Sequence, residues 1–413
     1  TPTSVNGTGT QAVVTIPSFY NGGFALNVVG SSFSPTLQII PVVTGIDVTG
    51  VGTAQILGQG FTEGNGTVYT WTGGSLTDTA PGVGPDVFTS ATRSNVALPV
   101  HGFGNFTMTT SGGTSVPLPI NFAHPNQGQL IDVAFNSVNG ELLVADNTEI
   151  NRINPATGTT IGSFDIPITA STNDFGMQIL PGAIANFGGT LNVAAGSLLI
   201  TNGSASFDQL LVLDPTTGAQ IASLNLGVNI DPVAGVFHPG RGTLFILDFS
   251  PDQILERNPA TGDAIATLTA PFDINFGGLA VDPVTNNLWV ASSQVNTIAE
   301  INPATGAVVR TIDLASQGLS GEASGLAFDA SNRLLVSSVR GVVYRVDIPG
   351  VTISSEGAAP LTAGLADPTV AGQSAETSLA VAFTQQPSWL SDFVNSSAPA
   401  EEDDDELVIA LPT

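Results

Sequence analysis

Few residues in this 413-residue chain could do chemistry. There are three histidines (His101, His124, His238), no cysteine and no lysine. The lack of cysteine excludes disulfides, thiolate nucleophiles and thiolate metal sites. Acid–base chemistry would fall to a histidine or to carboxylates gathered in a cleft. The turn Asp282-Pro283-Val284-Thr285-Asn286-Asn287 offers oxygen ligands that suit Ca²⁺. It lacks the spacing of an EF-hand loop and reads first as turn chemistry. Gly58, Gly60 and Gly64 are too spread for a phosphate loop and precede no strand-to-helix switch. The sequence therefore assigns no catalytic residue, no metal ligand and no cofactor, with Ca²⁺ as the one weak candidate.

Charge narrows the partners. The chain carries 34 acidic residues against 8 basic ones, all arginine, for a formal charge of −26. Such a surface repels phosphate backbones and anionic lipid, so neither nucleic-acid binding nor membrane insertion is expected. No apolar run approaches the roughly 20 residues of a spanning helix. The 47 glycines and 27 prolines suit short strands joined by many turns.

Two repeats organise the chain. The pentapeptide Asn/Asp-Pro-x-Thr-Gly recurs at 154–158, 214–218, 258–262 and 302–306, spaced by 60, 44 and 44 residues. A degenerate copy follows at Val346-Asp347-Ile348-Pro349-Gly350. The motif makes a tight hairpin: the Asn or Asp side chain caps, Pro fixes φ and Gly takes the left-handed position. Around each copy the same strands return, as in Gly278-Leu279-Ala280-Val281-Asp282, Leu288-Trp289-Val290-Ala291, Ile298-Ala299-Glu300-Ile301 and Val308-Val309-Arg310-Thr311-Ile312. Four strands per roughly 45 residues is a propeller blade. Five blades are expected over 128–168, 172–227, 228–271, 272–318 and 319–354, the second lengthened by an insertion at 172–190 ahead of its inner strands. A sixth, degenerate blade stays open as an alternative reading of the residues beyond.

These strands and turns resemble the NHL/YVTN-type propellers, a superfamily that includes lyases, lactonases, scaffolds and adhesins. Upstream, Ile16-Pro17 through Gly30 aligns with Leu98-Pro99 through Gly112 at a constant offset of 82. Between the copies lie Ala54-Gln55-Ile56-Leu57-Gly58-Gln59-Gly60-Phe61 and Val68-Tyr69-Thr70-Trp71, an order that resembles an IPT/TIG immunoglobulin-like domain. The expected fold is all-β, with immunoglobulin-like β-sandwich modules ahead of a five-bladed, or six-bladed, β-propeller. The divisions are a half-module at 1–40, a sandwich at 41–122, a propeller at 123–354, a linker or added strand at 355–400, and an acidic stretch with an apolar terminal strand at 401–413.

On that frame only His238 falls within a blade, in the turn between first and second strands, where others carry Asn136, Asp282 or Asp329. Propeller enzymes set acids or metal cages around the central channel. The candidates here are Asp132, Asp231 and Glu322 near inner-strand starts, with Asp146 and Asp248 at second-strand ends. They form no recognisable signature.

The chain ends suggest a different role. Six carboxylates at 401–406 precede Leu407, Val408, Ile409, Ala410 and Leu411, an apolar run with strong β propensity. Such a segment can add to an open sheet edge. The unfinished half-module offers one, through Val14, Ile16, Phe24, Leu26 and Val28. The expectation is a non-enzymatic structural or adhesive protein of a prokaryotic cell surface, exported with its signal peptide removed. It would self-assemble into a fibre or layer by strand addition, with other copies of itself and surface glycans as partners. The alternative is a secreted propeller enzyme or carbohydrate-binding protein working at the channel mouth.

Overall fold

Short β-branched and apolar runs, each closed by a Gly or Pro turn, become antiparallel strands. The computed structural model describes residues 4–5, 11–15, 21–25, 36–64, 66–88, 92–125, 128–167, 175–204, 207–227, 230–319, 322–348, 381–382 and 406–410. Among them the fold is all-β, and the single helical element is a 3₁₀ turn at Ala315–Gln317.

Five four-stranded antiparallel sheets form a propeller-like ring. Sheet one comprises Asp132–Asn136, Glu141–Ala145, Glu149–Ile153 and Thr160–Asp165. Sheet two comprises Phe175–Ile179, Leu198–Ser204, Phe207–Leu213 and Gln220–Gly227. Sheet three comprises Pro232–His238, Thr243–Asp248, Gln253–Arg257 and Ala264–Thr269. Sheet four comprises Leu279–Val281, Leu288–Val290, Thr297–Ile301 and Val308–Asp313. Sheet five comprises Ala323–Phe328, Leu334–Ser338 and Val342–Val346, and its outermost strand is Phe122–Ala123, drawn from the far side of the ring in sequence. The first strands pack against one another in order, and the first strand of sheet five returns to that of sheet one, so the ring closes.

The repeated pentapeptide does what its residues require. In each complete copy the Asn or Asp Oδ1 accepts the N–H two residues on. The closing glycines have φ between +72° and +77°. These turns also dock the sheets. A Cβ on Gly218 would strike the Phe164 ring, one on Gly262 the Asn225 carbonyl, and one on Gly306 would touch Leu268, each on the outer strand of the preceding sheet. The first sheet's predecessor in the ring is sheet five, whose outermost strand is Phe122–Ala123. In sheet one Gly158 packs on the His101 backbone instead.

His101 belongs to a two-sheet sandwich. One sheet runs Val42–Gly50, Thr53–Gln59, Arg93–Ala97, Asp86–Phe88; the other runs Gly113–Thr114, Gly104–Thr110, Thr67–Trp71, Gly74–Asp78, with Leu118–Ile120 also on Gly104–Thr110. Ile56, Tyr69, Trp71, Phe106 and Met108 fill the space between them. The Tyr69 hydroxyl reaches Ser94 Oγ at 2.8 Å, joining the two sheets through a buried hydrogen bond. That core continues without a break through Phe122 and Tyr344 into sheets four and five.

Two expectations need correction. The insertion in sheet two does not precede its inner strand. Phe175–Ile179 is that strand, and the extra hairpin, Ile184–Phe187 with Leu191–Val193, stands between it and Leu198–Ser204. The run Phe175-Gly176-Met177 carries too little alternation to mark a strand from sequence. Residues 1–40 also do not form one half-sandwich among the described residues. Gly22–Ala25 pairs with Thr36–Ile39 as a separate two-stranded sheet, whereas Ser4–Val5 and Gln11–Thr15 share a sheet with Glu406–Ala410 and Val381–Ala382.

Candidate functional site

The ring narrows at one level of its inner strands. Asp132, Gly176, Ala234, Gly278 and Gly325 occupy corresponding places, and four of the five are Gly or Ala. The backbones almost touch here: a Cβ on Gly176 would lie 2.6 Å from Ala234 Cα, and one on Gly278 would lie 2.7 Å from Gly325 Cα. The fifth residue puts a carboxyl into this constriction. Asp132 Oδ1 accepts its neighbour Val133 N–H at 2.7 Å. Oδ2 accepts the Met177 N–H from sheet two, and Leu326 N–H of sheet five also donates to the carboxyl. Burial pushes the Asp132 carboxyl well above the usual range, and the three amides oppose that shift.

Beyond the constriction, towards the turns between first and second strands, lies a cavity of about 290 Å³. Its wall sets the apolar side chains Phe135, Met177, Ile179, Val281, Leu326 and Phe328 beside polar surface of nearly equal extent. Gln178 is its main neutral polar side chain, and both ends are committed: Oε1 accepts Phe237 N–H at 2.7 Å and Nε2 donates to Phe237 O at 3.2 Å. Asp329 on the rim is held by Arg333 at 2.8 Å.

Of the other sequence-proposed acids, which lie towards the opposite face, Asp146, Asp248 and Glu322 are taken up by structure. Asp146 caps its own turn, accepting from Thr148 and Glu149 N–H groups. Asp248 accepts the Asp231 N–H at 3.0 Å. Glu322 pairs with Arg340 at 3.0 Å, and Arg340 Nη1 donates onward to the Val48 carbonyl of the sandwich. Asp208, which the sequence did not single out, approaches this group and accepts the Ile230 N–H. Burial, with neighbouring carboxylates adding, raises both Asp208 and Asp248. Among the described residues no group of three or more His, Asp or Glu has the geometry to hold a metal ion.

His238 is a turn residue. Its Nδ1 accepts the Arg241 N–H at 3.2 Å and its Nε2 donates to the Asn286 carbonyl at 2.8 Å, tying sheet three to sheet four. His238→Ala is expected to cost about 1–2 kcal/mol through these two bonds, read by urea denaturation. His101 and His124, separated in sequence, meet where sandwich joins ring. They exchange backbone hydrogen bonds at 3.1 and 3.0 Å, and their rings lie 6.4 Å apart.

The proposed interaction residues fall partly within view. Leu407, Val408, Ile409 and Ala410 lie opposite Val14, Val13, Ala12 and Gln11 in an antiparallel ladder within one chain. Phe24 lies in the separate hairpin, opposite Leu37. Ile16, Leu26, Val28 and Leu411 lie outside the described residues, as do the carboxylates of 401–405.

No protein-family model matches the chain, and no curated protein matches it. Among solved structures it is similar to a glutaminyl cyclase of Myxococcus xanthus, at 12% identity and a TM-score of 0.40 over 55% of this chain and 94% of that one. It is also similar to a catalytically inactive virginiamycin B lyase from Staphylococcus aureus, at 12% identity and a TM-score of 0.33 over 78% and 97%. A Bacteroides caccae protein of unknown function matches at 14% and 0.34 over 58% and 80%. At these values nothing about function is drawn from them; the propeller-like description rests on sheet order and ring closure.

Proposed function

We propose that the chain is a non-catalytic structural or adhesive protein of a prokaryotic cell surface, in which an IPT/TIG-like sandwich is fixed to a five-bladed NHL/YVTN-type propeller. Copies join by exchanging the terminal strand. The observation that carries this reading is the ladder between Gln11–Thr15 and Glu406–Ala410. A strand donated from nearly 400 residues away can be donated equally well by a neighbouring copy. Support also comes from charge. Every arginine has an internal partner, such as Glu141 for Arg152, Glu256 for Arg241 and the Phe103 ring for Arg345, so the acidic excess is left to the surface.

The chain contains no cysteine, which permits a clean test. Val13→Cys and Val408→Cys are made separately, mixed and oxidised, because these positions are direct partners. Exchange is expected to give a crosslinked dimer of the two variants, with linear polymers by electron microscopy that vanish when 407–413 is deleted. Monomers unaffected by the deletion, with crosslinking seen only within a chain that carries both cysteines, would refute it. A second reading is favoured by the cavity, whose mixed apolar and polar wall suits a small amphipathic ligand. A saturable thermal shift that Ala327→Trp abolishes would support it.

A further inference from the structure

The inner strand of each sheet has an unpaired edge facing the axis, so its N–H groups need acceptors. At the constriction, Val133, Met177 and Leu326, from three different sheets, aim their N–H groups at one point, where the Asp132 carboxyl receives them. The described hydrogen bonds to this carboxyl are all donors to it. The surrounding chain is shaped to admit it. A Cβ on Gly325 would lie 1.8 Å from Asp132 Oδ1, so glycine there leaves the carboxyl its room. Asp132 is buried, and among the described residues no ion pair uses it.

We infer that the axis of the ring is a carboxylate-binding site built from backbone amides of sheets one, two and five, and that Asp132 fills it as the chain's own ligand. The corresponding glycines at 176, 278 and 325 show the side-chain-free form of the same place. Removing the side chain leaves a nest of converging donors with the size and polarity for a small monocarboxylate. This inference is independent of strand exchange.

The test uses the full chain with Asp132→Gly, which copies the other sheets. Its melting temperature is expected to fall by about 5 °C or more. Millimolar formate should restore it saturably, with no effect on the unsubstituted protein. Formamide, of equal shape but carrying an N–H₂ where an acceptor is needed, should not. Asp132→Asn preserves volume and covers the case in which the glycine variant does not fold. It should also melt lower, because its N–H₂ faces donors. Rescue by formamide equal to that by formate, no rescue by formate, or an asparagine variant as stable as the unsubstituted chain would overturn the inference.

Discussion

Gly102→Ala is expected to separate the unfolding of the sandwich from that of the ring. The Gly102 N–H donates to the Thr72 carbonyl at 2.8 Å, and next to it the Phe103 N–H donates to Pro155 O at 3.0 Å. The first bond lies within the sandwich; the second holds the first sheet's pentapeptide turn against it. A Cβ on Gly102 would lie 2.1 Å from the Ala156 carbonyl carbon and oxygen, and 2.5 Å from Thr157 N. The obstacle is backbone in a tight turn, which cannot swing aside as a flexible side chain would. Overpacking of this kind costs typically about 1–3 kcal/mol, and the upper end applies where backbone meets backbone. Gly102 is not among the left-handed glycines, so the effect isolates contact from conformation. Calorimetry should show one transition for the unsubstituted chain and two for the variant, with the ring's own transition little moved. A variant that keeps one transition at the original temperature would mean that this contact does not couple the two parts.

The same junction shows where sequence reading reached and where it stopped. The pentapeptide turns and the strands around them were legible because local residues determine them: the Asx bond, the proline and the left-handed glycine all lie within five positions. The order of strands around each complete copy followed from that, but Phe175–Ile179, the inner strand of sheet two, did not. What could not be read depends on distant partners. Phe122–Ala123 is too short to carry a periodicity, and it becomes a strand because Tyr344 and Val343 pair with it. Asp132 stood out as an inner-strand acid, yet its role comes from amides of two other sheets. His101 and His124 gave no signal together, since 22 residues lie between them and the fold alone brings their backbones into register.

That pair makes the junction acid-sensitive. The His101 ring is fully buried, stacked on Trp71 at 5.9 Å and edge-on to Phe122 at 5.3 Å. Its Nδ1 donates to the Gly102 carbonyl at 3.0 Å, and its Nε2 has no partner among the described residues. Burial lowers its pKa from the ordinary 6.5 to about 4; the Gly102 bond opposes this and His124 adds to it. Burial lowers His124 as well, against its bond to Gly341. The folded chain thus keeps these rings neutral where the unfolded chain protonates them. Stability from His101 is complete above pH 6.5 and drains away as pH falls towards 4, by about 3 kcal/mol in all. Carboxyls held high by burial, Asp132, Asp208 and Asp248 among them, act in the opposite direction, since the folded form takes up their protons first. A comparison with His101→Phe removes them, because both proteins share them. The variant loses the Gly102 bond and starts about 1 kcal/mol lower at pH 7. Its urea midpoint should then fall less steeply than that of the unsubstituted chain between pH 6.5 and 4, so that the two curves converge or cross. Parallel curves across that range would mean the aromatic box tolerates the charged imidazole, and the acid sensitivity of the junction would have to lie elsewhere.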